Sequence, residues 1–202
     1  MIIDTWMQHP NHGWISNSMF DSLRRWKPGR WSETSQPIDE TLAEMDRANV
    51  SLGMLCAWHG PTGPIISNDE VAQHCRAHPD RFVGIASVDL YRPMDAVREL
   101  RRRVKRDGFK GLRVLPWLSE MLSLVMKYPN VFIDTSAYKA SRYPHELVTY
   151  MRGNPKHRVL FGSNHPFWPA GECIAGLDRL ELGDAAHSAF LAGNARRCFK
   201  IG

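Results

Sequence analysis

Apolar positions along the chain recur with two periods, and the switch between them marks out the elements. The opening stretch Met1-Ile2-Ile3-Asp4-Thr5-Trp6-Met7-Gln8-His9-Pro10 reads as a buried strand entering a polar, proline-ended loop. Side chains on a strand alternate faces, so Asp4, Trp6 and Gln8 project to one side together. Ile38, Leu42 and Met45 have helical spacing, and a strand is predicted from Val50 to Cys56, running into Ala57-Trp58-His59-Gly60-Pro61. Ser67 and Glu70 form a capping-box pattern ahead of Val71, Ala72 and Cys75. A strand from Phe82 to Val88 ends in Asp89. Pro93 then opens a helix on which Met94, Val97, Leu100 and Val104 line one face.

Gly108 stops that helix, and Gly111 to Leu115 reads as a fourth strand before Pro116. Leu118, Met121, Leu122 and Val125 follow the i, i+3, i+4, i+7 pattern of a fifth helix. A strand over Val131 to Thr135, a helix from His145 towards Gly153 and a strand over Val159 to Phe161 come next. Helical stretches near Ile174 to Leu177, from Asp184 to Leu191 and from Asn194 to Phe199 complete the pattern. Strict alternation of strand and helix implies a parallel sheet covered by helices. The expected fold is therefore α/β, a TIM-barrel-like (β/α) parallel barrel. A full barrel of eight units typically needs about 250 residues. With 202 residues and six predicted strands, this one is shortened to about six. One domain, residues 1–202, is expected. Within it, residues 12–37 hold Trp14, Trp26 and Trp31 without a clear period, an excursion expected to pack over the barrel mouth.

Composition changes this picture little. The chain is 43% hydrophobic and 23% charged, ordinary for a soluble globular protein. Much of its net charge of +5 comes from Arg101, Arg102, Arg103, Lys105 and Arg106 on one predicted helix. No aromatic residues interleave that run, so it reads as a solvated helix face and no nucleic-acid partner is expected. Cys56, Cys75, Cys173 and Cys198 form no CxxC pair. No run approaches the roughly 18 apolar residues of a membrane span. A cytoplasmic protein with reduced thiols and no membrane partner is the expectation.

Five stretches together resemble the amidohydrolase superfamily, in particular its amidohydrolase-related, decarboxylase-like branch. The first strand, with Asp4, resembles that family's opening Asp-x-His-x-His. Phe109-Lys110-Gly111-Leu112-Arg113-Val114 resembles its fourth strand, and Tyr128-Pro129-Asn130-Val131-Phe132-Ile133-Asp134-Thr135-Ser136 its seventh. Val159-Leu160-Phe161-Gly162-Ser163-Asn164-His165-Pro166 is similar to the eighth, usually Gly-Ser-Asp-Tyr-Pro at its end. Ala192-Gly193-Asn194-Ala195-Arg196-Arg197-Cys198-Phe199 resembles the closing Gly-Asn-Ala helix. The family's fifth and sixth βα units have no counterpart, which places an apparent internal deletion near residues 116–119. At about 30 residues per unit, such a deletion accounts for the missing length.

The resemblance implies a divalent metal such as zinc, bound by the two first-strand histidines, a fifth-strand histidine and the eighth-strand aspartate. In this chain those places hold Trp6, Gln8, nothing and Asn164. Tryptophan has no lone pair to give, and the neutral amides are poor substitutes for imidazole and carboxylate. The expectation is a lost metal site and no cofactor. His9, His12 and His165 could converge near the mouth, and His74 and His78 are four apart on a helix. Solvated or backbone-bonded histidines are the plainer reading of both groups.

Residues at the C-terminal ends of barrel strands are the functional candidates. They are Asp4, Trp6, Gln8, Trp58, Asp89, Arg113, Asp134, Asn164 and His165, and the sequence assigns none of them a catalytic role. Asp89 and Asp134 read either as pocket carboxylates or as braces for helix starts and loops. Arg113 reads either as a clamp for a substrate carboxylate or as an ion-pair partner of Asp89 or Asp134. The resemblance thus implies a hydrolase or decarboxylase of a small carboxylated or cyclic molecule. The alternative is an inactive barrel relic that binds a ligand or partner. Edges left beside the fourth and seventh strands would invite pairing with a second copy.

Overall fold

A computed structural model describes residues 1–21, 25, 35–60, 62–89, 92–113, 129–154 and 157–201; a strand is found in each of the six expected places, although 114 and 115 of the fourth lie outside the described residues. In chain order the strands are β1 (Ile2–Met7), β2 (Val50–Cys56), β3 (Trp58–Gly60), β4 (Gly63–Ile66), β5 (Phe82–Ala86), β6 (Gly111–Leu112), β7 (Ile133–Asp134) and β8 (Val159–Leu160). The α-helices are α1 (His12–Ile15), α2 (Ile38–Arg47), α3 (Asn68–Ala77), α4 (Pro93–Asp107), α5 (His145–Gly153), α6 (Ala170–Ile174), α7 (Asp184–Ser188) and α8 (Asn194–Phe199). The helix expected over 118–125 lies outside the described residues, as do Trp26 and Trp31. No helix among the described residues is long and apolar enough to cross a membrane.

Two compact units divide the chain. A terminal unit holds the described residues of 1–7, 44–53 and 115–202, and a central unit holds those of 8–43 and 54–114. In the terminal unit β7 and β8 pair in parallel, Ile133 opposite Val159 and Asp134 opposite Leu160. The continuation of β8 runs along β1: Thr5 N donates to the Phe161 carbonyl (2.9 Å) and Asn164 N to that of Trp6 (2.7 Å). Ile3, Met7, Val159, Phe161, Met151 and Phe190 are buried there, the Phe161 and Phe190 rings meeting edge to face at 5.9 Å.

In the central unit β5 and β6 pair in parallel, Ile85 opposite Gly111 and Ala86 opposite Leu112. Gly84 lets this happen closely, because a Cβ there would lie 2.4 Å from the Phe109 ring. Two expectations fail in this unit. Strand and helix do not alternate strictly: after β2 the chain forms an antiparallel hairpin, β3–β4, with Gly60 opposite Gly63 across the turn. Glycines flanking a proline-containing turn are hairpin chemistry, and they override the run-on of β2.

The second correction concerns α4, whose basic run reads from the sequence as a solvated face. Arg103 of that run is buried, at 1% exposure, while Met94, Val97 and Val104 are exposed. Its guanidinium meets Glu99 (2.6 Å), Asp69 (2.7 Å) and Asp107 (3.0 Å). Spacing of i, i+4 places Glu99, Arg103 and Asp107 on one face, and Asp69 completes the ring of carboxylates that permits a buried guanidinium. The hydrogen bond from Arg103 holds the Asp69 carboxyl below its ordinary range.

Candidate functional site

The candidate residues fall into both units. Asp4, Trp6, Asp134, Asn164 and His165 belong to the terminal unit, and Gln8, Trp58, Asp89 and Arg113 to the central one.

In the terminal unit, β1 and the turn after β8 bring Asp4 to Ser163. Oδ1 of Asp4 accepts from the backbone N–H groups of Ser163 (2.9 Å) and Trp6 (3.1 Å), while the Ser163 hydroxyl donates to Oδ2. That hydroxyl oxygen in turn accepts from the His165 N–H at 2.9 Å. Burial pushes the Asp4 carboxyl up to about 7; the Ser163 and Trp6 hydrogen bonds pull it back in part, and the Asp134 charge adds to the rise. Asp134 accepts from Thr5 Oγ1 (2.6 Å) and Ser136 N (2.7 Å). Gly162 is required beside it: a Cβ there would lie 2.6 and 2.8 Å from the two Asp134 carboxylate oxygens and 2.9 Å from the Trp6 Cβ. Asn164 follows with φ of 62°, a left-handed conformation that asparagine tolerates better than most residues. Ser163 and Thr5, which hold the two carboxylates, escaped the sequence reading, although the Gly-Ser step after β8 was on view.

In the central unit the strand ends gather an aromatic stack. The Arg113 guanidinium lies 3.9 Å from the centroid of Trp58 and is only 5% exposed. Phe20 meets Trp58 edge on at 5.1 Å, and Trp14 meets Phe20 at 4.9 Å. The Arg113 guanidinium is thus placed on an indole face, beyond either role the sequence suggested. Gln8 is fully buried. Asp89 sits 3.9 Å from Arg92 and lines a cavity of about 340 Å³ with His59, Asn68, Ser87 and Glu99.

Histidines are arranged differently from the groupings the sequence suggested. His9 and His74 meet ring to ring at 4.8 Å, and His9 Nδ1 lies 2.9 Å from Thr41 Oγ1. His157 is wholly buried, bonded to Ala186, Val159 and Asn194. Among the described residues no group of three or more His, Cys, Asp and Glu side chains could hold a metal ion. The indole of Trp6 and the neutral amides of Gln8 and Asn164 do not make the imidazole-and-carboxylate set that a divalent ion of the family type needs.

Comparison with known proteins fixes the family. The sequence matches the Amidohydrolase family over residues 32–117 and again over 114–201. An uncharacterised TIM-barrel protein from Bordetella bronchiseptica is similar in structure, with TM-score 0.80 and 16% identity over 98% of each chain. The 5-carboxyvanillate decarboxylase of Sphingomonas paucimobilis aligns with TM-score 0.68 and 14% identity over 100% of this chain and 99% of its own. The dihydroxybenzoic acid decarboxylase of Polaromonas sp. JS666, with bound manganese and 2-nitroresorcinol, aligns with TM-score 0.64 and 16% identity over 98% and 96%. At these identities the likeness establishes the fold, α/β and TIM-barrel-like with a shortened barrel. With the family match spanning most of its length, the chain belongs to the amidohydrolase family.

Proposed function

We propose that this chain binds a small aromatic carboxylate on an amidohydrolase fold, without the metal-activated chemistry of a hydrolase or decarboxylase. The observation that carries this reading is the Arg113 guanidinium held 3.9 Å over the Trp58 ring at the ends of strands. A stacked guanidinium keeps its N–H edge in one plane, the geometry that takes a carboxylate through two parallel hydrogen bonds. Trp58 and Phe20 add ring surface beside it for an apolar body. Structural neighbours of this fold act on 5-carboxyvanillate and on dihydroxybenzoic acid, planar ring acids of this kind.

Loss of catalysis follows from the donor set. Trp6, Gln8 and Asn164 stand where metal ligands would be required, and Asp4 is already committed to Ser163 and to the Trp6 N–H. The two segments of the family match meet at residues 114–117, which supports an excision of the units that carry the remaining ligand. The four cysteines are free, two of them buried, which suits a reducing compartment such as the cytoplasm.

Titration with 2,6-dihydroxybenzoate, followed by tryptophan fluorescence, tests the reading. Binding is expected to be the same with manganese and with a chelator, with no release of carbon dioxide. Arg113→Met is expected to weaken it about ten- to a hundredfold, the worth of a charged hydrogen-bonded pair. Manganese-dependent turnover, or unchanged affinity in folded Arg113→Met, would overturn it.

A further inference from the structure

With Arg103 turned inward, the outer face of α4 mixes apolar and basic side chains. On a helix of 3.6 residues per turn, Met94, Val97, Arg98, Arg101, Val104 and Lys105 fall on one side, opposite the buried Ala96 and Arg103. Met94 is 65% exposed, Val97 44% and Val104 49%, and Arg98, Arg101 and Lys105 are exposed beside them. No carboxylate shares that side. Asp95 lies next to it and reaches Arg98 at 3.0 Å, while Glu99 and Asp107 turn inward to Arg103. Arg101 and Lys105 make no ion pair among the described residues. Arg102 and Arg106 flank the row and add to its charge.

We propose that this face of α4 docks the chain on a membrane of anionic phospholipid, with the helix lying in the headgroup layer and Met94, Val97 and Val104 turned towards the acyl chains. The sequence alone suggests a solvated face and no membrane partner; the exposed apolar side chains set among the cations argue otherwise. From Met94 to Lys105 the face runs about 16 Å along the helix axis. Cations attract the lipid phosphates, and apolar side chains between them enter the layer that water leaves. The long stems of Arg98, Arg101 and Lys105 let their charged ends stay at headgroup level while the shorter side chains go deeper. Attachment of this kind is peripheral and reversible. Trp58 and Arg113 take no part in it, so it stands apart from the ligand reading above.

Other occupants match the face less well. A two-fold contact sets the same patch against itself, and here that would oppose two basic faces with no carboxylate between them. A nucleic acid would use the cations but would place Met94, Val97 and Val104 against phosphate, with no aromatic ring to stack on a base. Protein interfaces centre on aromatic and arginine anchors seated in pockets. A single convex helix with methionine and valine as its apolar residues offers no such anchor, whereas a fluid bilayer requires none.

The test is co-sedimentation of the full chain with vesicles of phosphatidylcholine alone and of phosphatidylcholine with about one-third phosphatidylglycerol. Binding is expected on the anionic vesicles at low salt. It should be absent from the neutral ones and lost in about 1 M salt, where charges are screened beyond about 3 Å. Arg101→Gln and Lys105→Gln should each weaken binding about fivefold. The double variant Val97→Ser/Val104→Ser should weaken it about tenfold at unchanged charge. Circular dichroism and melting temperature check that each variant is folded, as exposed positions allow. Equal binding to both vesicles, no binding to either, or unchanged binding in the folded glutamine variants overturns the proposal. So does binding indifferent to the serine substitutions, which would reduce the face to a counter-ion patch. Light scattering that shows a dimer dissociated by the serine substitutions would assign the face to a second copy and overturn it equally. Should the serine variant not fold, the two glutamine variants and the neutral vesicles decide.

Discussion

Ser163 gives Asp4 both its backbone N–H and its hydroxyl across 159 positions of chain, and this pairing ties the turn after β8 to the first strand. Ser163→Ala removes the hydroxyl donor and leaves the carboxylate buried. A loss of about 1.5–3 kcal/mol is expected, as for a hydrogen bond to a charged group. Urea denaturation should show it as a lower midpoint with the slope unchanged.

Asp4 also predicts a pH dependence whose sign is unusual for a carboxylate. Its folded value is raised to about 7 from 3.8, so its contribution is most favourable below 3.8, where both states are protonated. Between those values the unfolded chain releases the proton first, and stability falls as pH rises, by about 1.4 kcal/mol per unit. Asp4→Asn abolishes that slope. Melting temperatures of the two proteins across pH 4 to 7.5 should therefore diverge with rising pH.

His157 predicts the opposite slope. Its Nδ1 accepts from Val159 N (3.2 Å) and faces Asn194 Nδ2 (3.1 Å), so the proton sits on Nε2 and is given to the Ala186 carbonyl at 3.0 Å. Asn194 cannot turn to offer its oxygen without losing the bond from Arg197 (2.9 Å). Burial holds the imidazole below its ordinary value, so this contribution is present above about 6.5 and is lost as pH falls. In His157→Phe that acid-side loss should be absent, at a cost of about 2–4 kcal/mol at pH 8 for the unmet donors. Equal acid sensitivity in the two proteins would contradict this.

The choice of buried face on α4 can be checked by substitution. Removing Arg103 as Arg103→Ala takes a buried partner from Glu99, which keeps Arg102, and from Asp107, which keeps Arg76 and Arg106, and about 1–3 kcal/mol of destabilisation is expected. Val97→Ser and Val104→Ser, at exposed positions, should stay within about 0.5 kcal/mol of wild type. Reversal of that order would restore the apolar face to the interior.

Gly162→Ala forces a methyl against the Asp134 carboxylate, for an expected cost of about 1–3 kcal/mol. Gly153→Ala is the control, because nothing lies within 4 Å of the added carbon.

What the sequence made legible is what depends on local spacing. Period-two and period-3.6 runs located β1, β2, β5, β6, β7 and β8, and Ser67 with Glu70 marked the start of α3, where the capping box is complete. Periodicity says which side chains share a helix face and leaves open which face is covered. Hence Arg103 reads from the sequence as part of a solvated basic face, although the carboxylates four residues either side of it are the competing signal. The β3–β4 turn was hidden because Trp58-His59-Gly60 reads as the tail of β2 when only one strand is considered. Contacts such as Ser163 with Asp4 or His9 with His74 join residues far apart in the chain, and no local pattern encodes such pairs. Candidate residues were found by their place at strand ends, but their partners needed the fold.

The bonds between β1 and the continuation of β8 have a consequence for synthesis. Thr5 and Phe161 are 156 positions apart, so the first strand leaves the ribosome long before the strand that completes it exists. Closing a loop of that length costs entropy that only the finished interface returns, and such non-local pairings form slowly. Meanwhile the edge of β1 at Thr5 to Met7 lacks that partner and is open to other nascent chains. Any 3′ truncation of the message that stops before Val159 leaves that edge without its natural cover, and aggregation of such fragments follows from the order in which the strands are made.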